Sequence, residues 1–215
     1  MKKLRLLLRS ILNYFHLAGI VELRMTGYLK EKGWYNSYQT KKSIDANNQS
    51  IPWLTYPFIT FLKGRIHAQL NIFEYGSGDS TLWYAKRARS IDAVEHHFEW
   101  YTYVNSKKTD NMTIKHIELD HGDNYARAIH VSGKQYDIVI VDGRDRNNCM
   151  KEACKGLTSS GVIILDNSHI IKYDLGKLYL KEQGFKQLAF EGMCPVSPYF
   201  NETSLFYKAN NCLGL

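Results

Sequence analysis

The sequence has little proline and little cysteine, with four residues of each in a chain of 215. The cysteines form no Cys-x-x-Cys pair, and the N-terminal segment has no small-residue cleavage site typical of a signal peptide. A disulfide framework is therefore not expected, and the pattern favours reduced thiols in a cytoplasmic protein. Long apolar runs are also missing. Arg5 and Arg9 interrupt the N-terminal one, so it is too short to span a membrane.

The charge of the chain is concentrated at its N-terminal end. The formal net charge is +7, and residues 1–42 account for it with nine Lys or Arg against two Asp or Glu. The remaining residues carry 19 of each sign. A nucleic-acid enzyme usually has its positive face around the active site. No nucleic-acid partner is therefore expected.

The basic segment is predicted to form an amphipathic helix over residues 2–18. Its apolar residues recur at helical spacing; they are Leu4, Leu7, Leu8, Ile11, Leu12, Phe15 and Ala18. Three roles are open for this helix: contact with an anionic membrane at the inner face, contact with a partner or a second copy in a homodimer, and cover for its own domain. Residues 33–53 follow as an irregular, aromatic lead-in or lid, so residues 1–53 are predicted as one unit and residues 54–215 as the main domain.

The stretch from Asn71 to Glu95 organises that domain. It contains an apolar strand, a Gly-x-Gly turn, a helix and a second strand that ends on a carboxylate. Gly76 and Gly78 let the backbone turn sharply and approach a ligand closely. A carboxylate at the tip of the neighbouring parallel strand can accept both hydroxyls of a ribose. A nucleoside-containing ligand across these two strand ends is the first hypothesis.

Apolar runs and helical segments alternate along the rest of the chain. The predicted strands are 71–75, 90–95, 113–119, 136–142, 161–166, 185–190 and 203–208. The predicted helices are 57–62, 82–88, 97–107, a helix that ends at 131, 147–157 and 173–183. No crossover helix fits between the last two strands. The fold class is therefore α/β, a doubly wound, seven-stranded, mostly parallel sheet with a C-terminal antiparallel hairpin.

Two nucleoside cofactors fit the turn. The dinucleotide fingerprint requires a third glycine where Thr81 stands, so a nicotinamide-dependent oxidoreductase is the alternative. Glu74-x-Gly76-x-Gly78 after an apolar strand resembles motif I of the class I S-adenosylmethionine-dependent methyltransferases, and the order of elements is similar to theirs over residues 54–208. A non-catalytic binding protein of the same fold is a third possibility.

The resemblance implies a cofactor site for S-adenosylmethionine. In that family the acidic residue of motif I contacts the amino-acid end of the cofactor. Glu95, at the tip of the second strand, is the residue expected to accept the ribose hydroxyls. The residues expected to bind it are Glu74, Gly76, Ser77, Gly78, Ser80, Thr81, Glu95, His96, Asp123 and Asp142, with Asp120 as an alternative to Asp123 in the same loop.

Strands four and five end in a second group of polar residues, Asp142 and Asp166-Asn167. Two carboxylates and an amide oxygen suit Mg²⁺, and the arrangement is similar to the metal site of the catechol O-methyltransferase group. There the metal lowers the pKa of the acceptor hydroxyl. The alternative is that Asp142 orients the methionine end of the cofactor and that Asp166-Asn167 forms a turn.

The acceptor is predicted to be a hydroxyl of a small molecule or a glycan. The sequence lacks the Asn-Pro-Pro-Tyr or Asp-Pro-Pro-Tyr after strand four that is expected of enzymes methylating amino groups of DNA bases. His169 is the predicted general base, with Asp142 as the second catalytic candidate. Arg144 and Arg146 can bind an anionic substrate such as a uronate or phosphate, or pair with Asp145.

Overall fold

A computed structural model describes residues 2–119 and 122–215, without the side chains of residues 2–7. The helices are α1 (Lys2–Tyr14), α2 (Ala18–Met25), α3 (Tyr28–Glu31), α4 (Trp34–Thr40), α5 (Tyr56–Lys63), α6 (Asp79–Ala85), α7 (Phe98–Asn105), α8 (Asn124–Arg127), α9 (Arg146–Gly156) and α10 (Asp174–Glu182). The strands are β1 (Asn71–Tyr75), β2 (Ser90–Glu95), β3 (Met112–His116), β4 (Tyr136–Val141), β5 (Leu157–Asp166), β6 (Lys186–Cys194) and β7 (Ser197–Tyr207). Short 3₁₀ turns follow α8 and precede α10.

The seven strands form one sheet in the order β3-β2-β1-β4-β5-β7-β6. Strands β1 to β5 are parallel, and β7 runs antiparallel to both β5 and β6. This confirms the predicted fold class. The chain moves outward from β1 to β3 and then returns to place β4 beside β1. Ligands in open parallel sheets bind at such a switch point, beyond the carboxyl ends of the strands.

Both faces of the sheet are buried, which explains the nearly continuous apolar runs of β4 and β5. Alternate residues of the central strands, such as Ile72 and Ile140, pack with α5, α6 and α7. Their neighbours, such as Phe73 and Val139, pack with α8, α9 and α10. The sheet is therefore held between two helical layers, and its loops at the carboxyl edge are held in fixed positions.

The C-terminal hairpin is longer than the sequence pattern predicted. Residues 194–199 were expected to form a loop, but β6 and β7 continue into that segment and turn at Pro195-Val196. Val196 has φ +70, a left-handed conformation that a tight turn requires. Because β7 begins earlier, Asn201 lies in a strand opposite Gly192 of β6 rather than in a loop, two residues before Thr203, which pairs with Asp166 of β5.

The N-terminal region also differs from the expectation. The helix predicted over 2–18 ends at Tyr14, and His16 adopts φ +57 before α2 begins. The lead-in, residues 33–53, is only partly irregular, because it contains α4. It is also tied to the hairpin, since Trp34 Nε1 donates a hydrogen bond of 3.1 Å to the Ser197 carbonyl. Leu54, which follows it, is 1 % exposed in the core. None of the helices in the described part of the chain is both long and apolar enough to cross a membrane.

Candidate functional site

A cleft of about 660 Å³ opens beyond the carboxyl ends of β1, β2, β4 and β5. Small-molecule sites typically measure roughly 300–1,000 Å³. The structure brings most of the predicted residues to its lining, namely Gly76, Ser77, Gly78, Ser80, Glu95, His96, Asp142, Asp166, Asn167 and His169. Glu74, Thr81 and Asp123 do not line it. The parallel strands account for the convergence, because each delivers its following residue to the same edge.

The glycine turn after β1 packs directly on the loop after β4. Gly76 has φ +92, and a Cβ at this position would lie 2.9 Å from the Cα of Gly143. Only glycine combines that conformation with so close an approach. Next to it, Ser77 is 8 % exposed, and its hydroxyl has no hydrogen-bond partner among the described residues. A buried, unpaired hydroxyl on the wall of a cleft fits a polar ligand.

Glu95 connects the two loops that close one end of the cleft. Its Oε2 accepts a hydrogen bond of 2.8 Å from the backbone N–H of Ser77, and its Oε1 accepts one of 2.8 Å from the N–H of His97. The side chain is buried but lines the cleft. A carboxylate has about four acceptor positions, so Glu95 can hold both loops and still accept two ligand hydroxyls.

His96 lies beside that carboxylate, with its Nδ1 3.0 Å from Glu95 Oε1. Burial lowers the pKa of His96, the Glu95 charge acts in the opposite direction, and Arg144 lowers the pKa further. The imidazole is therefore held in its neutral form near pH 7.

Glu74 is placed differently from what the resemblance implied. The side chain is fully buried and accepts hydrogen bonds of 2.5 Å from both Ser80 Oγ and Thr81 Oγ1. Thr81 Oγ1 in turn accepts the backbone N–H of Gly78 at 3.0 Å. Glu74 thus acts on the glycine turn through the start of α6, and does not reach the cleft. Desolvation raises the pKa of Glu74 to about 8.

Arg146 occupies the middle of the predicted magnesium site. Its Nη2 lies 3.0 Å from Asp142 Oδ1, and its Nη1 lies 3.1 Å from Asn167 Oδ1. The same guanidinium donates to the backbone carbonyls of Asp142, Gly143 and Asp166. The side chain is 8 % exposed, so it cannot simply swing into solvent.

A cation is therefore already present where the metal was expected. A dication among the same oxygens would lose two ligands to the guanidinium and be repelled by its charge. Among the described residues, no group of three His, Cys, Asp or Glu side chains could hold a metal ion. The residues present do not fit the predicted magnesium site. Asp142 and Arg146 are four residues apart, and this Asp-x-x-x-Arg spacing is the feature of the sequence that could have indicated their ion pair.

Asp166 points toward the hairpin rather than toward Asn167. Its Oδ1 accepts hydrogen bonds from Thr203 Oγ1 at 2.9 Å and from Asn201 Nδ2 at 3.4 Å. Desolvation, reinforced by the Asp142 charge and opposed by Arg146, raises the pKa of Asp166 to about 8. Desolvation also raises the pKa of Asp142, to about 6. Sequence analysis missed both partners: Asn201 falls between the two last predicted strands, and Thr203 begins the last one without any polar pattern that singles it out.

The remaining predicted residues lie at the margins. His169 lines the cleft and is exposed, with its ring 5.1 Å from that of Phe200. Its role as general base stays a prediction. Asp123 pairs with Arg127 at 3.3 Å and lies away from the cleft lining. Asp120 lies outside the described residues.

Comparison with known proteins identifies the fold. No protein-family model and no curated protein sequence matches the chain. Among solved structures, the precorrin-6y methyltransferase of Geobacter metallireducens superposes with a TM-score of 0.55 at 14% identity, covering 78% of this chain and 97% of its own. The precorrin 8w decarboxylase of Methanobacterium thermoautotrophicum gives 0.54 at 17% identity, with coverages of 75% and 95%. The tRNA methyltransferase TrmI of Aquifex aeolicus gives 0.52 at 13% identity, with coverages of 73% and 70%.

The superpositions indicate the same fold as the strand order and the terminal antiparallel hairpin do. A dinucleotide-binding sheet would instead have six strands in the order 3-2-1-4-5-6. The chain has the fold of the class I S-adenosylmethionine-dependent methyltransferases.

Proposed function

We propose that this protein transfers a methyl group from S-adenosylmethionine to a hydroxyl of a small molecule or a glycan. The observation that carries the proposal is the meeting of the glycine turn, Glu95 and Asp142 on one cleft at the switch point of the sheet. The superposed structures include proteins named as methyltransferases. Fold alone does not decide function, so the proposal rests on the cleft.

The cofactor is assigned to the end of the cleft formed by β1, β2 and β4. Glu95 would accept the ribose hydroxyls, and the buried hydroxyl of Ser77 would meet a polar group of the same ligand. Asp142 also lines this end of the cleft; its Oδ1 pairs with Arg146, and its other oxygen would accept a hydrogen bond from the amine of the cofactor. Bound S-adenosylmethionine supplies an activated methyl group, so the chain has to align the acceptor and exclude water.

The acceptor is assigned to the other end, between β5 and the hairpin. His169 stands at this end, where a neutral imidazole can take the proton of an attacking hydroxyl. Asn167 and Asn201 also line this part of the cleft and can orient a hydroxyl by hydrogen bonds. The proposed reaction uses no metal, since Arg146 fills the position in which one was expected.

The acceptor class is supported less directly than the cofactor. One superposed structure is named as a tRNA methyltransferase, so the fold does not distinguish a small molecule from a nucleic acid. The even charge of the chain outside residues 1–42 favours a small molecule or glycan, with Lys41 and Lys42 the only residues of that basic segment that line the cleft among the described residues. A nicotinamide-dependent oxidoreductase is disfavoured by the seven-stranded order.

Calorimetry with S-adenosylhomocysteine and with NAD tests the cofactor assignment. We expect S-adenosylhomocysteine to bind and NAD not to bind. Glu95→Gln should weaken S-adenosylhomocysteine binding by about tenfold or more, because hydrogen bonds to a charged group contribute roughly 1.5–3 kcal/mol. Glu99→Gln is the matched control, since Glu99 is exposed on α7 and lies outside the cleft. NAD binding without S-adenosylhomocysteine binding would reject the proposal.

The N-terminal helices are proposed to lie on an anionic membrane surface. Apolar side chains remain exposed along α1 and α2, including Leu8, Ile11, Ile20 and Met25. Residues 1–42 also carry all of the excess positive charge. Exposed apolar side chains next to basic ones are typical of helices that bind membrane interfaces.

Cosedimentation with vesicles measures this contact. The double variant Leu8→Asp/Ile11→Asp should bind phosphatidylglycerol vesicles about tenfold or more weakly than wild type, because each large apolar side chain contributes roughly 1.5–3 kcal/mol when buried. A chain that lacks residues 1–20 should behave in the same way. Leu175→Asp is the control, since Leu175 is 70% exposed on α10. Equal binding by all variants would remove the membrane role and leave an interface between copies as the explanation.

A further inference from the structure

Three basic side chains surround the mouth of the cleft. Lys41 and Lys42 come from the end of α4, and Arg144 comes from the loop after β4. All three are exposed and line the cleft. They arrive from two parts of the chain about a hundred positions apart in sequence, so the fold, and not a local run of charge, brings them together.

No acidic group of the described residues lies within ion-pair distance of these three cations. Lys41 contacts an aromatic ring, since its Nζ lies 3.9 Å from the centroid of Tyr38. Arg144 acts electrostatically on His96, lowering its pKa behind the larger effect of burial. The positive charge at the mouth is thus not neutralised by neighbouring carboxylates.

The carboxylates that line the same cleft are already engaged elsewhere. Asp79 Oδ1 accepts hydrogen bonds of 3.1 Å from Ser50 and from Tyr103. Asp142 pairs with Arg146, and Glu95 accepts two backbone N–H groups. The acids are therefore held by internal donors, whereas the three cations are exposed and form no ion pair with the described residues.

We propose that the methyl acceptor, whose hydroxyl lies at the β5 end, also carries an anionic group remote from that hydroxyl, a carboxylate or a phosphate, and that Lys41, Lys42 and Arg144 bind this group. This inference rests on the proposed methyl transfer and specifies the substrate class of the same cleft. Arg presents a planar donor pair that matches carboxylate and phosphate oxygens, and Lys adds point charge. The exposed rings of Trp53 and Phe200 also line the cleft and offer apolar surface to the body of the acceptor.

One rival explanation is that these cations hold the carboxylate of the cofactor itself. A single carboxylate is a small target for three cations, but the two explanations differ in what a variant would change. Cations that serve the cofactor would alter the affinity for S-adenosylhomocysteine. If the three cations bind the acceptor, substituting them would leave the affinity for S-adenosylhomocysteine nearly unchanged and would weaken the binding of a second, anionic ligand.

The test uses full-length protein saturated with S-adenosylhomocysteine. Inorganic phosphate, D-glucuronate and D-glucose are titrated separately into this complex by calorimetry. We expect at least one anion to bind about tenfold or more tightly than neutral glucose, given the strength of charge-assisted hydrogen bonds. If glucuronate binds and phosphate does not, the acceptor carries a carboxylate. If phosphate binds and glucuronate does not, the acceptor is phosphorylated.

The variant K41Q/K42Q/R144Q should bind the anion about tenfold or more weakly, with its S-adenosylhomocysteine affinity within about twofold of wild type. Lys151→Gln, an exposed position on α9 outside the cleft, should bind both ligands as wild type does. The inference is overturned if the triple variant binds the anion as tightly as wild type does. It is also overturned if the triple variant loses its affinity for S-adenosylhomocysteine, or if neither anion binds to wild type. If wild type binds no S-adenosylhomocysteine, the proposed function fails, and the same anion titrations on unliganded protein still decide whether the cations form an anion site.

Discussion

Arg146→Ala is expected to lower the free energy of unfolding by about 3–5 kcal/mol, the range seen when one partner of a buried ion pair is removed. The guanidinium donates to Asp142, to Asn167 and to three backbone carbonyls. Without it, those buried and partly buried acceptors lose their donor, and each unsatisfied buried group costs about 1–3 kcal/mol. The Asp142 carboxylate would also lose its counter-charge, so its pKa would rise further.

Urea denaturation measures the loss, and Arg144→Ala provides the matched control two residues earlier in the same loop. Arg144 is exposed, so its removal should change the free energy of unfolding by less than about 0.5 kcal/mol. Arg146→Lys should restore only part of the stability, because an ammonium is a point charge and cannot span the same five acceptors. If Arg146→Ala proved as stable as Arg144→Ala, the guanidinium would not be the group that joins the ends of β4 and β5.

The sheet and the position of the cleft could be predicted from the sequence because both follow from short-range rules. Apolar runs such as 136–141 predict buried strands, and the glycine turn fixes where β1 ends. Once the strands are parallel, the residues that follow them must meet at one edge. The convergence of Ser77, Glu95 and Asp142 on one cleft therefore required no knowledge of side-chain packing.

The partners within the site could not be predicted in the same way. An arginine five residues beyond a strand can point to solvent or back toward the sheet, and only the placement of α9 against β5 decides between these. Asp166 and Asn167 are adjacent in sequence, yet Asn167 adopts φ +52 and meets Arg146, whereas Asp166 faces Thr203. Oxygens that share a sequence motif thus diverge in space, which is why the magnesium prediction did not fit.

Glu74 gives the second large effect, and its sign depends on pH. Desolvation raises the pKa of Glu74 from 4.5 to about 8 in the folded protein. Between these two values the unfolded chain has released a proton that the folded protein retains, so stability falls as pH rises. The slope for one such group approaches about 1.4 kcal/mol per pH unit. The contribution is complete below pH 4.5 and is lost as pH rises toward 8.

Glu74→Gln removes this titration while keeping the shape of the side chain. An amide supplies a carbonyl acceptor and an NH₂ donor group where a protonated carboxyl supplies an acceptor and an O–H donor, so the hydrogen bonds to Ser80 and Thr81 can persist. We expect Glu74→Gln to gain stability relative to wild type as pH rises from 5 to 8, measured by urea denaturation at each pH. Glu74→Ala loses both hydrogen bonds and leaves a cavity, and should cost about 2–5 kcal/mol near pH 5. This cost should shrink as pH rises, because the variant also lacks the titrating group.

Asp142 and Asp166 also have raised pKa values and titrate in the same range, so the slope of wild type alone would not identify Glu74. They are present in every variant, however, and their contributions cancel in the difference between Glu74→Gln and wild type. A difference that stays constant from pH 5 to 8 would mean that Glu74 is ionised at neutral pH. Its two hydroxyl partners would then be stabilising a buried charge, and the glycine turn would rest on an anion instead of a neutral carboxyl group.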